Sequence, residues 1–150
     1  MLDISRLDIY DYLKTLFYDV VTKNYHEIEE PTENTESEIE NGFLVVNVGN
    51  FADMSEFDGE AYAEARCFVY AFIPKLQRGR LNRALYKQYE DAINEVITNV
   101  IENDNNGKYG ILSDSLLSID DTDDTQQSNQ FHVFCKSFIV TINNDSNSNN

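Results

Sequence analysis

A strand, a short basic turn and a long helix follow one another between residues 60 and 102, and this stretch constrains the fold most. The strand reads AYAEARCFVYAFI and the helix reads NRALYKQYEDAINEVITNVIEN. Pro74 cannot donate to a strand ladder, so it ends the strand. Asn82 is a suitable cap for the helix. A strand that leads directly into an amphipathic helix predicts an α+β domain in which the helix covers the sheet.

The side chains of this strand alternate between two different surfaces. One surface carries large rings together with Glu64 and Arg66, which predicts a face that is partly exposed or covered by a partner. The opposite surface is small and aliphatic, so a helix can approach it closely. Its members are Ala63, Ala65, Cys67, Val69, Ala71 and Ile73.

Four further elements are expected on either side of this stretch. Apolar periodicity predicts a helix at about Ser5–Lys23 and a short strand at Phe43–Val48. The third strand is predicted at Tyr109–Ile119, bent around 113–115, and the fourth at Phe131–Ile142. The predicted fold is therefore α+β in the order α-β-β-α-β-β, with an antiparallel or mixed four-stranded sheet covered by two helices.

The length of 150 residues suits one domain with one core, which we place at residues 1–142. Within it, residues 24–41 carry seven glutamates and few apolar side chains. Repulsion between like charges predicts a mobile loop there. Residues 143–150 are asparagine- and serine-rich, and we expect a disordered tail.

A net charge of −16 limits the partners of this chain. It argues against nucleic-acid binding through phosphate contacts, which needs clustered cations, and against an anionic membrane surface. An acidic surface can instead keep a protein in solution, line a passage for DNA or imitate DNA. No apolar run approaches the roughly 20 residues that span a bilayer, and the first residues do not resemble a signal peptide. We therefore expect a protein made in a cytoplasm and kept there or packaged from it.

No residue pattern predicts catalysis, a cofactor or a metal. Cys67 and Cys135 lie in predicted strands, where a buried thiol is the favoured interpretation. His26 and His132 do not stand at metal-ligand spacing. An EF-hand register that ends at Ser113 lacks the bidentate glutamate that calcium requires. An enzyme with a hidden carboxylate pair is the weakest alternative, open only because the chain has 27 acidic residues.

Five of the eleven basic residues fall within thirteen positions around the turn after the first long strand. These residues either lie in a turn that faces only water or form a patch that docks on the acidic surface of another copy. A phosphate site at the helix N-terminus ranks below both, because the glycine-rich P-loop pattern is missing. These candidate interface residues are Lys75, Arg78, Arg80, Arg83 and Lys87.

Three apolar side chains project from the long acidic connection at 49–60. They are Phe51, Met54 and Phe57. Apolar residues on a long loop either fold back onto the domain or hold a partner. We expect this loop to contact a neighbouring subunit.

The order and lengths of the predicted elements resemble the phage tail-completion or tail-terminator family, small proteins that form rings at the head–tail junction. The first strand of that pattern corresponds to FLVVNV. The long strand and helix correspond to EARCFVYAFIPKLQRGRLNRALYKQYEDAINEVI, and the closing pair to YGILSDSLLSIDD and QFHVFCKSFIVTIN. The likeness covers most of residues 5–142. The glutamate-rich insert at 24–41 is longer than that pattern, which leaves open another connector ring protein, such as one of a crAss-like short-tailed phage.

The resemblance implies a non-enzymatic virion protein that is assembled in the host cytoplasm. It would form a six-fold ring on a tail, or a twelve-fold ring on a portal. It would bind neighbouring connector, portal or tail proteins, while DNA passes through the channel without specific binding. The competing interpretation is an acidic protein-binding module, a DNA mimic or inhibitor, that acts as a monomer or dimer.

Overall fold

A mixed sheet with helices on one face organises the structure, a computed structural model that describes residues 5–53, 62–105, 107–119 and 130–143. No helix within those ranges is long and apolar enough to cross a membrane. A 3₁₀ turn at Gln77–Gly79 joins the longest strand to the longest helix. The helices are α1 (Arg6–Phe17), α2 (Glu36–Asn41) and α3 (Arg83–Asn103). The strands are β1 (Tyr25–Glu27), β2 (Phe43–Asp53), β3 (Tyr62–Pro74), β4 (Tyr109–Ile111), β5 (Leu117–Ile119) and β6 (Phe131–Asn143).

The strands lie in the order β1-β2-β3-β6-β4, and β5 pairs with β6 on the same side as β4. Only β1 and β2 are parallel among the described pairs. The prediction of an α+β fold with a mixed sheet is confirmed. The described residues form six strands rather than four, and three α-helices rather than two.

The acidic segment at 24–41 accounts for two of the additional elements, so the prediction of a loop there is wrong. β1 pairs with β2 through the register Tyr25 to Leu44. The side chain of Thr35 caps α2, and Glu38 completes a capping box. Five of the seven glutamates are exposed, so water screens the repulsion between their carboxylates, whereas Glu30 is half-buried and Glu38 is buried.

Helix α1 begins as the sequence predicts and ends earlier. Ser5 accepts a hydrogen bond from Leu7 N–H, and Asp8 accepts one from the Ser5 N–H. The helix ends at Phe17 rather than Lys23. β-Branched residues at 20–22 have low helix propensity, and the hydroxyl of Thr22 accepts from the N–H of Asn24 to form a turn instead.

The predicted third strand is two short strands, β4 and β5, separated by residues 112–116. The hydroxyl of Ser115 accepts from the N–H of Ile139 at 3.0 Å, which fills the gap in the ladder of β6. The guanidinium of Arg66 donates to the carbonyl of Ser115 and to the hydroxyl of Ser137. The predicted bend is confirmed, and side chains satisfy the backbone groups that it leaves unpaired.

The main core lies between the sheet and helices α1 and α3, on the small-residue face of β3 as predicted. Phe17 of α1 packs on Phe138 with ring centroids 5.9 Å apart, and Tyr86 of α3 packs on Phe134 at 4.6 Å. The alternation of β3 therefore determines which side of the sheet the helices cover. The buried helix residues of this core are Ile9, Tyr10, Leu13, Phe17, Tyr89, Ile93, Ile97 and Val100.

Candidate interaction surfaces

The basic turn between β3 and α3 has a defined backbone. The N–H of Lys75 donates to the carbonyl of Gln130, and the N–H of Leu76 donates to that of Arg80 at 2.8 Å. Arg78 and Gly79 adopt positive φ angles of 63° and 75°. Asn82 then caps α3 by accepting from the N–H of Leu85, as the sequence predicts. The turn is thus held at a fixed place at one end of the sheet.

The five predicted interface cations do not have equal environments. Arg78, Arg80 and Arg83 are exposed and form no ion pair within the described ranges. Lys87 is exposed and pairs with Asp91 at 3.1 Å, four residues further along α3. Lys75 is half-buried. The three arginines are therefore the cations best placed to contact another molecule.

The charges along α3 run against the preference of a helix dipole. Arg83 lies in the first turn, which has no acidic residue, and Glu102 lies near an end that has no basic residue in its last turn. Anions stabilise helix N-termini and cations stabilise C-termini. This order of charges therefore costs helix stability.

The second predicted interface segment is only partly described. Phe51 lies on β2 just beyond a bulge between Val48 and Phe51, and its side chain is 37% exposed. Met54 and Phe57 lie outside the described residues. The structure therefore places one of the three apolar side chains at the surface.

The face of the sheet opposite α1 and α3 is divided into two parts. At one end Phe43 and Phe72 are buried and stacked with centroids 4.5 Å apart, where α2 packs against β3. Further along, Phe68 and Tyr70 are half-buried and Leu117 is exposed. The prediction of a partly exposed aromatic face is confirmed for this second part.

The cysteines are buried, as predicted from their strands. Burial raises the pKa of both Cys67 and Cys135 to about 12, so neither thiol is activated as a nucleophile. His132 is half-buried, and burial together with the nearby Lys75 charge lowers its pKa. In the ranges that the structure describes, no three His, Cys, Asp or Glu side chains are grouped to hold a metal ion.

One buried carboxylate was not predicted from the sequence. Glu38 is 3% exposed. One of its oxygens lies 2.5 Å from Nε2 of His26, and the other accepts from the Thr35 N–H at 3.1 Å and from Asn34. Burial alone would raise the pKa of Glu38, but these hydrogen bonds outweigh it and hold the pKa below its ordinary value. The T-x-x-E spacing was the available signal for this site.

Acid is expected to remove the stabilisation that Glu38 provides. Because its pKa is lower in the folded chain, this contribution is complete above the unfolded value of about 4.5 and falls as the pH drops through the folded value. Glu38→Gln should lower the free energy of unfolding by about 1–3 kcal/mol at pH 7. Urea titrations from pH 7 to pH 3 should show that difference narrowing below about pH 4.5.

The exposed Glu40, on the same helix, provides the control. Glu40→Gln removes the same charge and should change stability by less than about 0.5 kcal/mol at every pH. An equal effect of both substitutions would contradict a specific role for the buried carboxylate.

A second buried charge joins α3 to the sheet. Lys136 of β6 is 4% exposed on the helix-covered face. Its ammonium group donates to Glu90 of α3 at 3.0 Å and to the hydroxyl of Ser118 on β5 at 2.6 Å. The two residues are 46 positions apart in the sequence, and this pair was not predicted from the sequence.

No protein-family model matches this chain, and no curated protein sequence matches it.

Proposed function

We propose that this chain is a non-enzymatic, ring-forming virion protein of a phage head–tail connector or tail terminator. The observation that carries the proposal is the exposed arginine cluster of the basic turn on a chain with a net charge of −16. Arg78, Arg80 and Arg83 have no anionic partner within the described residues. An acidic surface of another copy provides that partner at every position of a ring.

The succession of elements supports the same proposal. A helix, a strand, a second long strand, a basic turn, a long helix and closing strands follow one another from α1 to β6. This is the succession that the tail-terminator resemblance implies, with β1 and α2 added between α1 and β2. The half-exposed aromatic face of the sheet provides further area for neighbouring rings.

In such a ring the acidic surface would line the channel through which DNA passes. Like charge along the channel keeps DNA from adhering while it moves through. We therefore expect the channel of a six- or twelve-fold ring to be acidic. A surface-potential map of the assembled ring with a neutral or basic channel would contradict this expectation.

Reversing the charge of the turn tests the proposal. Arg78→Glu combined with Arg80→Glu should lower ring formation and incorporation into particles at least about tenfold, because each contact would then oppose like charges. Native mass spectrometry and electron microscopy of the protein, alone and with particles, measure the effect. Circular dichroism should show an unchanged fold, since both side chains are exposed.

Glu36→Lys combined with Glu40→Lys is the matched control, because it also reverses two exposed charges. The control should assemble normally. Unchanged assembly of the arginine variant would mean that the patch is a solvated turn.

The alternative function, an acidic module that imitates DNA, has one observation in its favour. Asp91, Glu95 and Glu102 are exposed along one side of α3 and line a shallow depression together with asparagines. Light scattering distinguishes the two functions. A chain that stays monomeric with and without particles, and that binds a DNA-binding protein, would support the mimic.

A further inference from the structure

We propose that neighbouring copies meet through an acidic projection at one edge of the sheet and a basic pocket beside the other edge. The acidic projection is Glu27–Glu29, which begins at the last residue of β1. The basic pocket is a depression of about 480 Å³ lined by Leu81, Arg83, Tyr86, Lys87 and Glu90. This inference rests on the proposed ring function and adds the surfaces that would join one subunit to the next.

Ile28 gives the acidic projection an apolar centre. Its φ angle is 76°, a left-handed conformation that β-branched residues rarely adopt, and its side chain is 52% exposed. The N–H of Ile28 donates to the carbonyl of Val46 at 2.9 Å, which fixes this backbone to β2. The exposed carboxylates of Glu27 and Glu29 flank it. Backbone strain of this kind is found at functional sites such as ligand clamps, and here it holds an apolar side chain where another molecule can contact it.

The basic pocket has the opposite charge around an apolar floor. Arg83 and Lys87 are exposed at its rim, while Leu81 and Tyr86 are half-buried. Among the described residues that line the pocket, Glu90 is the only acidic one, and its carboxylate already accepts from Lys136. An apolar side chain between carboxylates therefore finds apolar contact here, together with Arg83 and with Lys87, which would exchange its exposed pair with Asp91 for the new carboxylate.

The two surfaces lie toward opposite edges of the sheet. β1 forms one edge, whereas β5 lies at the other, beside β6. The pocket is near β5 because Tyr86 packs on Phe134 of β6, and Lys136 bonds both Glu90 and Ser118 of β5. A single copy cannot join its own two edges. The contact is therefore heterologous, with different surfaces on the two copies, and such a contact generates a ring when the rotation between copies closes.

Disulfide trapping between two variants tests this contact. Equal amounts of Ile28→Cys and Leu81→Cys proteins, mixed and oxidised with copper phenanthroline, should give a mixed dimer at least about ten times faster than Ile28→Cys with Leu112→Cys. Leu112 is 38% exposed, so random collisions favour the control. Cys67 and Cys135 are 0% and 1% exposed and do not compete. Equal rates for both mixtures would overturn the contact.

Charge exchange gives an independent measurement. Glu27→Lys with Glu29→Lys should lower association at least about tenfold, as should Arg83→Glu with Lys87→Glu, and a mixture of the two proteins should recover a one-to-one complex. Glu95→Lys with Glu102→Lys changes the net charge equally at another exposed site and should leave association intact. Equal loss in this control, or no recovery in the mixture, would overturn the proposal.

The outcomes separate this contact from the proposed function. If the wild-type protein forms rings but the Ile28→Cys and Leu81→Cys mixture reacts no faster than its control, the proposed function stands and the contact is rejected. If the cysteine variants crosslink rapidly but no rings are found on particles, the contact stands and the connector function is rejected.

Discussion

Replacing Gly42 with alanine is expected to lower the free energy of unfolding by about 3–5 kcal/mol. Gly42 joins α2 to β2 with φ +83° and ψ −179°, a region that is open essentially to glycine alone. A β-carbon there would lie 2.5 Å from the carbonyl oxygen of Phe72 and 3.1 Å from the hydroxyl of Tyr89. The Phe72 oxygen belongs to the backbone of a central strand and cannot move away.

The surroundings of Gly42 increase this effect. Its N–H donates to the carbonyl of Glu38, and its own carbonyl accepts from the side chain of Asn24. The hydroxyl of Tyr89 donates to the carbonyl of Asn41 at 2.8 Å and ties α3 to the same point. A shift of Gly42 would therefore disturb α2, two strands and α3 together. Urea unfolding followed by circular dichroism measures the loss.

Gly79→Ala is the matched control. Gly79 also has a positive φ, +75°, but apart from its two chain neighbours no described residue has an atom within 4 Å of a β-carbon built there. Its substitution should cost only the backbone strain, about 1–2 kcal/mol. If both substitutions lowered the free energy of unfolding equally, the close approach to the Phe72 carbonyl would add nothing to the cost of the Gly42 substitution.

Removing the partner of Lys136 is expected to have the second large effect. Glu90→Ala leaves a buried ammonium group with Ser118 alone, and should lower the free energy of unfolding by about 2 kcal/mol. This value is below that of a fully buried pair because the side chain of Glu90 is 37% exposed and water reaches it. Thermal and urea unfolding at pH 7 provide the measurement.

Lys136→Met should be nearly neutral, within about 1 kcal/mol, because it removes the buried charge and leaves Glu90 hydrated. The Glu90→Ala, Lys136→Met double variant should then be more stable than Glu90→Ala alone. Lys87→Met breaks the exposed pair with Asp91 and should change stability by less than about 0.5 kcal/mol. A double variant as unstable as Glu90→Ala would contradict this account.

Local signals in the sequence were sufficient to detect the long helices and strands, although α1 ends earlier and β2 extends further than predicted. Ser5 and Asn82 cap helices where expected, since capping depends on residues within one turn. The alternation of β3 correctly separated the helix-covered face from the half-exposed face, because successive side chains of a strand point to opposite sides. The position of the basic turn followed from the strand and helix on either side of it.

The elements that sequence reasoning missed depend on distant partners. β1 forms because Tyr25–Glu27 pair with residues 44–46, and three isolated residues have no periodicity to detect. For the acidic segment, the prediction gave more weight to repulsion among seven glutamates than to the capping pattern of Thr35 and Glu38, and so it missed α2. Likewise, no residue near Lys136 in the sequence indicated that it pairs with Glu90, and none near Ile28 indicated its positive φ.

Short strands close both described edges of the sheet, three residues in β1 on one side and three each in β4 and β5 on the other. Long unpaired edges would template main-chain pairing between copies and lead to open-ended aggregation. At β1, β4 and β5 such pairing can extend over only a few residues before Ile28 turns the chain away or the 112–116 segment interrupts it. An assembly that meets at these short strands would therefore depend mainly on side-chain contacts, and those contacts could be changed by substituting surface residues.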